Sequence, residues 1–445
     1  MFLFDEVEKI AGNFVGETYK FVDFHFSNLL KSIKSVKGNA RVMIVSVPFW
    51  AIPMTWLGVY QSIFAKHLGV TDRELGFIAS LGMLVQIGTT VFGGYVADRW
   101  GRKRTVIFCD TLCFLTAFTF LLFAKNIWFF VFYIIFLNLR YVGFPAWKCL
   151  CLEGAKPSNR SQVFSLNNLT GALSSLFVLF SGIFIDKFGI DGGTRVIIGF
   201  CILGVSAGIF YRQKYLTDSF SSKKLVNEIK KENSFNLKKY YTDALKKIYF
   251  NKTIFWILVL QIMVVFTFSM WNLYWPIYFT DQKGLGLKPA DLPIFSLISS
   301  MVGITSTFLA ISLVKQNIYK KVLTYASILP IFGAIIYIIT PPNTMYLLAL
   351  SFIINNIFAS LYGPITESMA ADSMNEKERA RLFSVFSTIL YLFCVPSTAL
   401  AGILYSIWPR LLFIVILLLT ILTFILIKIK IKYRPSSVLL VKNLK

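Results

Sequence analysis

Charge is scarce in this chain. Only 15% of its 445 residues are Asp, Glu, Lys or Arg, against 56% hydrophobic and 16% aromatic, where a soluble domain carries roughly a quarter charged residues. So much apolar surface exceeds what a water-soluble fold can hide, and the bilayer is its natural solvent. Histidine is rarer still: His25 and His67 are the only two, and no His/Cys/Asp cluster has metal-ligand spacing. The six cysteines, Cys109, Cys113, Cys149, Cys151, Cys201 and Cys394, all fall in apolar stretches and read as small, reduced, buried side chains. Cys149 and Cys151 are two apart and so point to different faces of a helix, which argues against a metal pair. The absence of Gly-x4-Gly-Lys-Ser/Thr excludes a pump built on a phosphate loop. No metal cluster or paired midplane acids support an embedded enzyme, and no cofactor is expected. The first forty residues mix Asp5, Glu6, Glu8 and Glu17 with Lys and Phe. They lack a clean apolar core ahead of a small-residue cleavage site, so no signal peptide is expected.

What charge there is leans one way, with a net +23. In a soluble protein that would suggest nucleic acid. Here the basic residues occupy short loops between apolar runs, as membrane topology requires. The expected partner is therefore the lipid bilayer and not a nucleic acid.

The apolar runs predict an all-α polytopic membrane protein. Twelve spans are long enough to cross a bilayer, at 42–66, 73–97, 104–124, 127–152, 162–186, 193–212, 253–280, 290–314, 320–340, 344–369, 382–406 and 410–431. Each must satisfy its own backbone in lipid and is therefore a helix. A β-barrel would need short alternating segments, and "LLFIVILLLTILTFILI" does not alternate. With the N-terminus inside, about 35 basic residues fall on the inner side and about 8 on the other, which places both termini in the cytoplasm.

The organisation is an N-terminal segment (1–41), a six-helix bundle (42–212), a linker (213–252), a second six-helix bundle (253–431) and a tail (432–445). Within the linker, Leu237, Tyr240, Tyr241, Ala244, Leu245 and Ile248 recur at helical spacing, with Lys238, Lys239, Lys246 and Lys247 off that stripe. This reads as a helix on the inner membrane face, the alternative being a solvated linker helix. The two bundles repeat weakly. "LGVTDRELGFI" at 68–78 matches "LGLKPADLPIF" at 285–295, Arg102 and Lys103 match Lys320 and Lys321, and Pro145 and Arg160 match Pro364 and Arg379 at nearly one offset. Parallel repeats of this kind are a transporter design.

One stretch interrupts the apolar pattern. "GGYVADRWGRKRT", Gly93 to Thr105, places Asp98 ahead of Arg99, Arg102, Lys103 and Arg104 between two long spans. Gly94, Asp98, Arg99, Gly101, Arg102 and Lys103 fit the pattern Gly-x-x-x-Asp-Arg-x-Gly-Arg-Lys/Arg, and here the sequence resembles the major facilitator superfamily over nearly its whole length. In finer detail "NARVMIVSVPFWAIP" and "AWKCLCLEG" resemble a less-studied prokaryotic branch. The chemistry of the motif is that Gly93 and Gly94 admit a close helix, Asp98 can face the positive end of a neighbouring helix, and Gly101 allows the tight turn.

The resemblance implies that this motif meets the start of the eleventh span near Phe383, closes the cytoplasmic side, and parts when the carrier opens inward. The second half keeps Lys320 and Lys321 but has no acid matching Asp98, so the latch is expected to be one-sided. Glu153 and Arg160 in the 4–5 loop and Asp372 and Arg379 in the 10–11 loop occupy matching places, and Glu153 is expected to pair with Arg102 or a neighbour. The Gly-Pro pattern of the drug-antiporter branch is missing from the fifth span, "GALSSLFVLFSGIFID".

The resemblance also implies a midplane cavity lined by the first, fourth, seventh and tenth spans. Span arithmetic puts Arg140 at the middle of the fourth, with Gly143, Phe144 and Trp147 on its face. A midplane charge costs about 2.5–3.5 kcal/mol on insertion scales and is normally turned inward and paired. Arg140 is thus either a substrate reader or a structural tie to the first span. Trp50, Gln261, Trp271, Asn355 and Asn356 complete the candidate substrate site, and Pro53 is expected to bend the first span. Trp275 and Tyr278 are assigned to the interfacial belt.

A lone midplane arginine among amides and aromatics suits a small polar or anionic solute. The resulting reading is secondary active or facilitative transport, by a monomer, across the cytoplasmic membrane. A proton or sodium ion is the candidate coupling partner. The alternatives are proton-coupled efflux of drugs or amphiphiles and a non-transporting sensor on a carrier fold.

Overall fold

The computed structural model describes residues 36–152, 160–217, 237–313, 318–374 and 379–431. These form helices throughout, with no strand among the described residues. Among them, nine stretches have the length and apolarity to cross a membrane, and one of these, Leu166–Tyr215, contains two crossings. Its chain turns at Gly189, where φ is +69°, a conformation open to glycine because it has no Cβ.

Two further long helices, Asp72–Trp100 and Leu292–Leu313, lie outside those stretches, and with them the described helices make twelve spans, six and six. Span 1 is Gly38–Val45 continued by Val47–His67, span 2 is Asp72–Trp100, and span 3 is Arg102–Cys109 running through a π turn, Asp110–Leu115, into Thr116–Leu122. Span 4 is Ile127–Leu139, a 3-10 turn at Arg140–Gly143, and Phe144–Leu152. Spans 5 and 6 run from Arg160 to the turn at Gly189 and from there to Tyr215. In the second bundle, spans 7 to 12 are Lys252–Thr280, Leu292–Leu313, Tyr319–Ile339, Met345–Asp372, Arg379–Ile407 and Pro409–Lys430. A linker helix, Leu237–Phe250, joins the bundles. We call the side of Gly38 and Lys430 the terminal face and the other the distal face.

Local sequence sets the helix ends. On the distal face, Thr71 and Glu74 cap span 2 reciprocally, each side chain meeting the other's backbone N–H. Asn126 and Asn251 cap spans 4 and 7 through their side-chain oxygens. Arg195 binds Asp191 and also donates to the carbonyls of Leu122 and Ala124, satisfying the end of span 3.

The helices pack through bare backbone. Span 1 runs on as helix through Pro53, and its interruption is at Ser46, just ahead of Pro48. Pro53 has no N–H to offer the Phe49 carbonyl four residues back. Gly204 of span 6 presses so close to that carbonyl that a Cβ would overlap it.

Between the bundles, Gly76 of span 2 meets Thr398 and Gly402 of span 11, and Gly182 of span 5 meets Ala290 just ahead of span 8 and Pro293 in its first turn. Around these contacts, the Tyr274 hydroxyl donates to the Asp72 carbonyl at 2.6 Å, Arg73 Nε donates to Ser406 Oγ at 2.9 Å, and Ser80 lies 2.8 Å from Thr398 Oγ1. All of these lie from mid-membrane towards the distal face.

Candidate functional site

Among the described residues, two cavities are lined by clusters of polar side chains. The larger, about 670 Å³, lies between the bundles, within the roughly 300–1,000 Å³ usual for small-molecule sites. Spans 7 and 10 supply its amides, Gln261, Asn272, Asn355 and Asn356, and span 10 also supplies Glu367. The first bundle contributes Thr55, Gly58 and Ser175. Hydrogen bonds fix most of these groups. Gln261 Nε2 donates to Thr366 Oγ1 at 3.2 Å and Asn356 Nδ2 to Ser299 Oγ at 2.9 Å. Asn355 Nδ2 donates to the Ser351 carbonyl at 2.9 Å, and Ser175 Oγ to Ser300 Oγ across the bundles at 2.7 Å.

The distal end of this cavity is aromatic. Trp271 stacks on Trp275 with centroids 6.0 Å apart, and both lie 5.2 Å from Phe352. Tyr337, Phe279 and Phe295 complete the cluster. Trp275 and Tyr278 are therefore buried, 5% and 0% exposed, and do not belong to the interfacial belt where the sequence placed them. Pro276 follows Trp275 in an apolar helix end, a pattern that interfacial and core aromatics share.

The smaller cavity, about 250 Å³, lies inside the first bundle. Arg140, Tyr141, Gly143, Phe144 and Trp147 of span 4 line one side, with Trp50, Asp110, Phe114, Asn167 and Arg212 around them. Arg212 Nη1 donates to Asp110 Oδ2 at 2.5 Å and its Nε to Ser46 Oγ at 2.9 Å. Arg140 lies over the rings of Tyr141 and Phe114, 4.7 and 5.2 Å from their centroids. Its one hydrogen bond among the described residues is a long 3.4 Å contact with the Tyr141 hydroxyl, and its Nε is buried without a partner.

The substrate residues inferred from sequence thus divide. Gln261, Trp271, Asn355 and Asn356 meet in the large cavity, whereas Arg140, Trp50 and Trp147 meet in the small one. Arg140 is half-buried, whereas Arg212, near the end of span 6, is the more deeply buried cation at 6% exposed. Sequence reasoning missed the Asp110–Arg212 pair. Its signal was an acid within the apolar run "VIFCDTLCF" and an arginine three residues before the end of span 6.

Of the motif residues, Gly101 turns the chain between spans 2 and 3 with φ +89°. Lys103 Nζ donates to the Leu216 carbonyl just past the end of span 6, the place where a cation favours a helix terminus. Arg99 and Arg102 lie on either side of the turn and are engaged in further interactions. Gly94, Asp98, Arg160 and Arg379 lie within helices, but their side-chain surroundings fall outside what is described, as does Glu153 altogether.

The sequence matches the family model of the Major Facilitator Superfamily over residues 42–354 and 319–442. No curated protein matches the chain by sequence. Among solved structures, the nucleoside transporter NupG is similar with a TM-score of 0.66 and 13% identity, covering 92% of this chain and 100% of that one. A D-xylose–proton symporter gives 0.64 and 16%, covering 92% and 98%. A POT peptide transporter in complex with sulfate gives 0.65 and 14%, covering 90% and 96%. At these identities the likeness is one of fold.

Proposed function

Because the chain belongs to the Major Facilitator Superfamily, we propose that it is a secondary carrier that moves a small polar solute across the cytoplasmic membrane by alternating access. The observation that carries this reading is the large cavity between the bundles. Its distal end is stoppered by the Trp271–Trp275–Phe352 cluster, and the Gly76–Gly402 and Gly182–Ala290 contacts close the bundles around it. From there its lining runs along span 10 towards the terminal face, from Phe352 to Glu367. Amides on opposed helices can exchange hydrogen bonds with a polar solute as the bundles rock.

The excess of Lys and Arg on the terminal face argues that this face is cytoplasmic, which makes the conformation inward-facing. The gate would be the span 2–3 motif, with Asp98, Arg99, Arg102 and Lys103 engaging the 4–5 and 10–11 loops through Glu153, Arg160 and Arg379. The linker helix would lie on the inner membrane surface, where Leu245, Tyr249 and Phe250 are exposed beside Lys246 and Lys247.

Efflux of amphiphiles is the second reading, favoured by the aromatic end of the large cavity. Counterflow in proteoliposomes, with a panel of sugars, nucleosides, small peptides, organic acids and amphiphilic dyes, tests both. Saturable exchange of a polar solute supports the carrier reading, and exchange of dyes alone supports efflux. No exchange of any solute by folded protein defeats both.

A further inference from the structure

Three departures from regular helix converge on the small cavity. Span 1 is interrupted at Ser46, span 3 has its π turn at Asp110–Leu115, and span 4 has its 3-10 turn at Arg140–Gly143. Irregular backbone at membrane depth is tolerated where it lines a cavity, and π turns frequently mark functional sites. Each of these turns carries one polar residue of the cluster: Ser46, Asp110 and Arg140.

The charges do not balance. Asp110 spends its hydrogen bond on Arg212, which Ser46 also steadies. Asp110 lies within electrostatic reach of Arg140 as well, but among the described residues no carboxylate bonds Arg140. A guanidinium has five donors in a planar fork, and here one makes a long contact and Nε makes none. A second group is also unspent: Asn167, 9% exposed, has a side-chain oxygen with no partner. The remaining walls are the rings of Trp50, Phe114, Tyr141, Phe144 and Trp147 and the aliphatic face of Val205 and Ile209, with Phe144 and Trp147 stacked at an interplanar angle of 5°.

We propose that this cavity is a binding site for a small organic monoanion with a flat body, its carboxylate held by Arg140. One negative charge cancels the one uncompensated guanidinium, whereas a dianion would leave a net negative charge buried. The stacked rings accept a planar body, and the Asn167 side-chain oxygen can accept a hydrogen bond from a donor on that body. At about 250 Å³ the space is below the range that holds drug-sized ligands, so the anion is small. The site deepens the carrier reading and rests on it only in treating that anion as cargo; binding itself can be read without flux.

The test uses the full-length protein in detergent with benzoate, benzamide, phthalate and inorganic phosphate as probes, read by thermal unfolding and titration calorimetry. Benzoate should bind and raise the melting temperature, and the other three should do so at least about ten-fold more weakly. Arg140→Gln should abolish the benzoate effect. Arg140→Lys should weaken it at least about ten-fold, since a point charge lacks the planar fork. Equal binding of benzoate and benzamide, tighter binding of phthalate or phosphate, or unchanged benzoate affinity in Arg140→Gln each overturns the proposal.

Should Arg140→Gln fail to fold, Trp147→Leu decides. Weakened benzoate binding supports the site, and unchanged affinity overturns it. Benzoate binding through Arg140 without exchange of any solute would sink the carrier reading and leave the site standing. Exchange of another solute without benzoate binding would do the reverse.

Discussion

The Asp110 carboxylate and the Arg212 guanidinium meet at 2.5 Å inside the first bundle and tie span 3 to span 6, and the same guanidinium reaches Ser46 at the break in span 1. Removing one member strands the other in a low-dielectric interior. Asp110→Ala should therefore cost about 3–5 kcal/mol, and Asp110→Ala with Arg212→Met should recover much of it. Thermal unfolding in detergent of the two single variants and the double variant measures the coupling. Additive losses would show that the pair is not one structural unit.

The closure on the distal face depends on missing side chains. A Cβ at Gly76 would overlap the Thr398 carbonyl and reach Gly402, whereas one at Gly88 on the same helix meets nothing within 4 Å. Gly76→Ala should push spans 2 and 11 apart at the distal end and favour the conformation open there, while Gly88→Ala should not. Spin labels at Lys125 and Lys283, on the distal loops of the two bundles, report this as a longer distance in Gly76→Ala alone. Identical distance distributions in the two variants would refute the closure argument.

The architecture was legible because its causes are local and additive along the sequence. Apolar runs of bilayer length, a Lys/Arg imbalance and the Gly101 turn each act within a few residues. The interior of the first bundle was not legible in the same way. Arg140 showed itself as a cation in mid-span, but Asp110 and Arg212 are 102 residues apart, and a single sequence does not tell which faces of two helices meet. The division of the substrate residues into two cavities has the same origin. Trp50 and Trp147 line the first-bundle cavity with Arg140, whereas Trp271 stacks on Trp275 in the cavity between the bundles. For Tyr278, position near a helix end suggested the lipid interface, yet its hydroxyl donates to the Tyr337 carbonyl at 3.0 Å and its ring packs on Phe413. Burial by a neighbouring helix overrode the sequence position.

Orientation is open to a direct test. Lys283 lies exposed in the loop between spans 7 and 8, and Lys246 lies exposed on the linker helix. In a background with the six native cysteines replaced, Lys283→Cys should react with a membrane-impermeant thiol reagent added to intact cells. Lys246→Cys should react only after permeabilisation. The opposite pattern would invert the topology and move the motif at Asp98 to the outer surface.

The large cavity makes a prediction that separates its role from its packing. Asn356 Nδ2 reaches across to Ser299 on span 8 and also back to the Phe352 carbonyl, so its amide is fixed where a solute passing between the bundles would meet it. Asn356→Leu keeps the volume close but removes donor and acceptor. Leaving Ser299 without its partner should cost about 1–3 kcal/mol, a modest fall in melting temperature. Exchange of the transported solute should fall at least about ten-fold, because a site that has lost a hydrogen bond to its cargo cannot recover it from an apolar wall. Ser299→Ala removes the same interhelical bond but leaves the amide facing the cavity, so it should lose a similar amount of stability while keeping most of the exchange. If Asn356→Leu and Ser299→Ala lose exchange equally, the amide acts by tying spans 8 and 10 together and solute recognition lies elsewhere in the cavity.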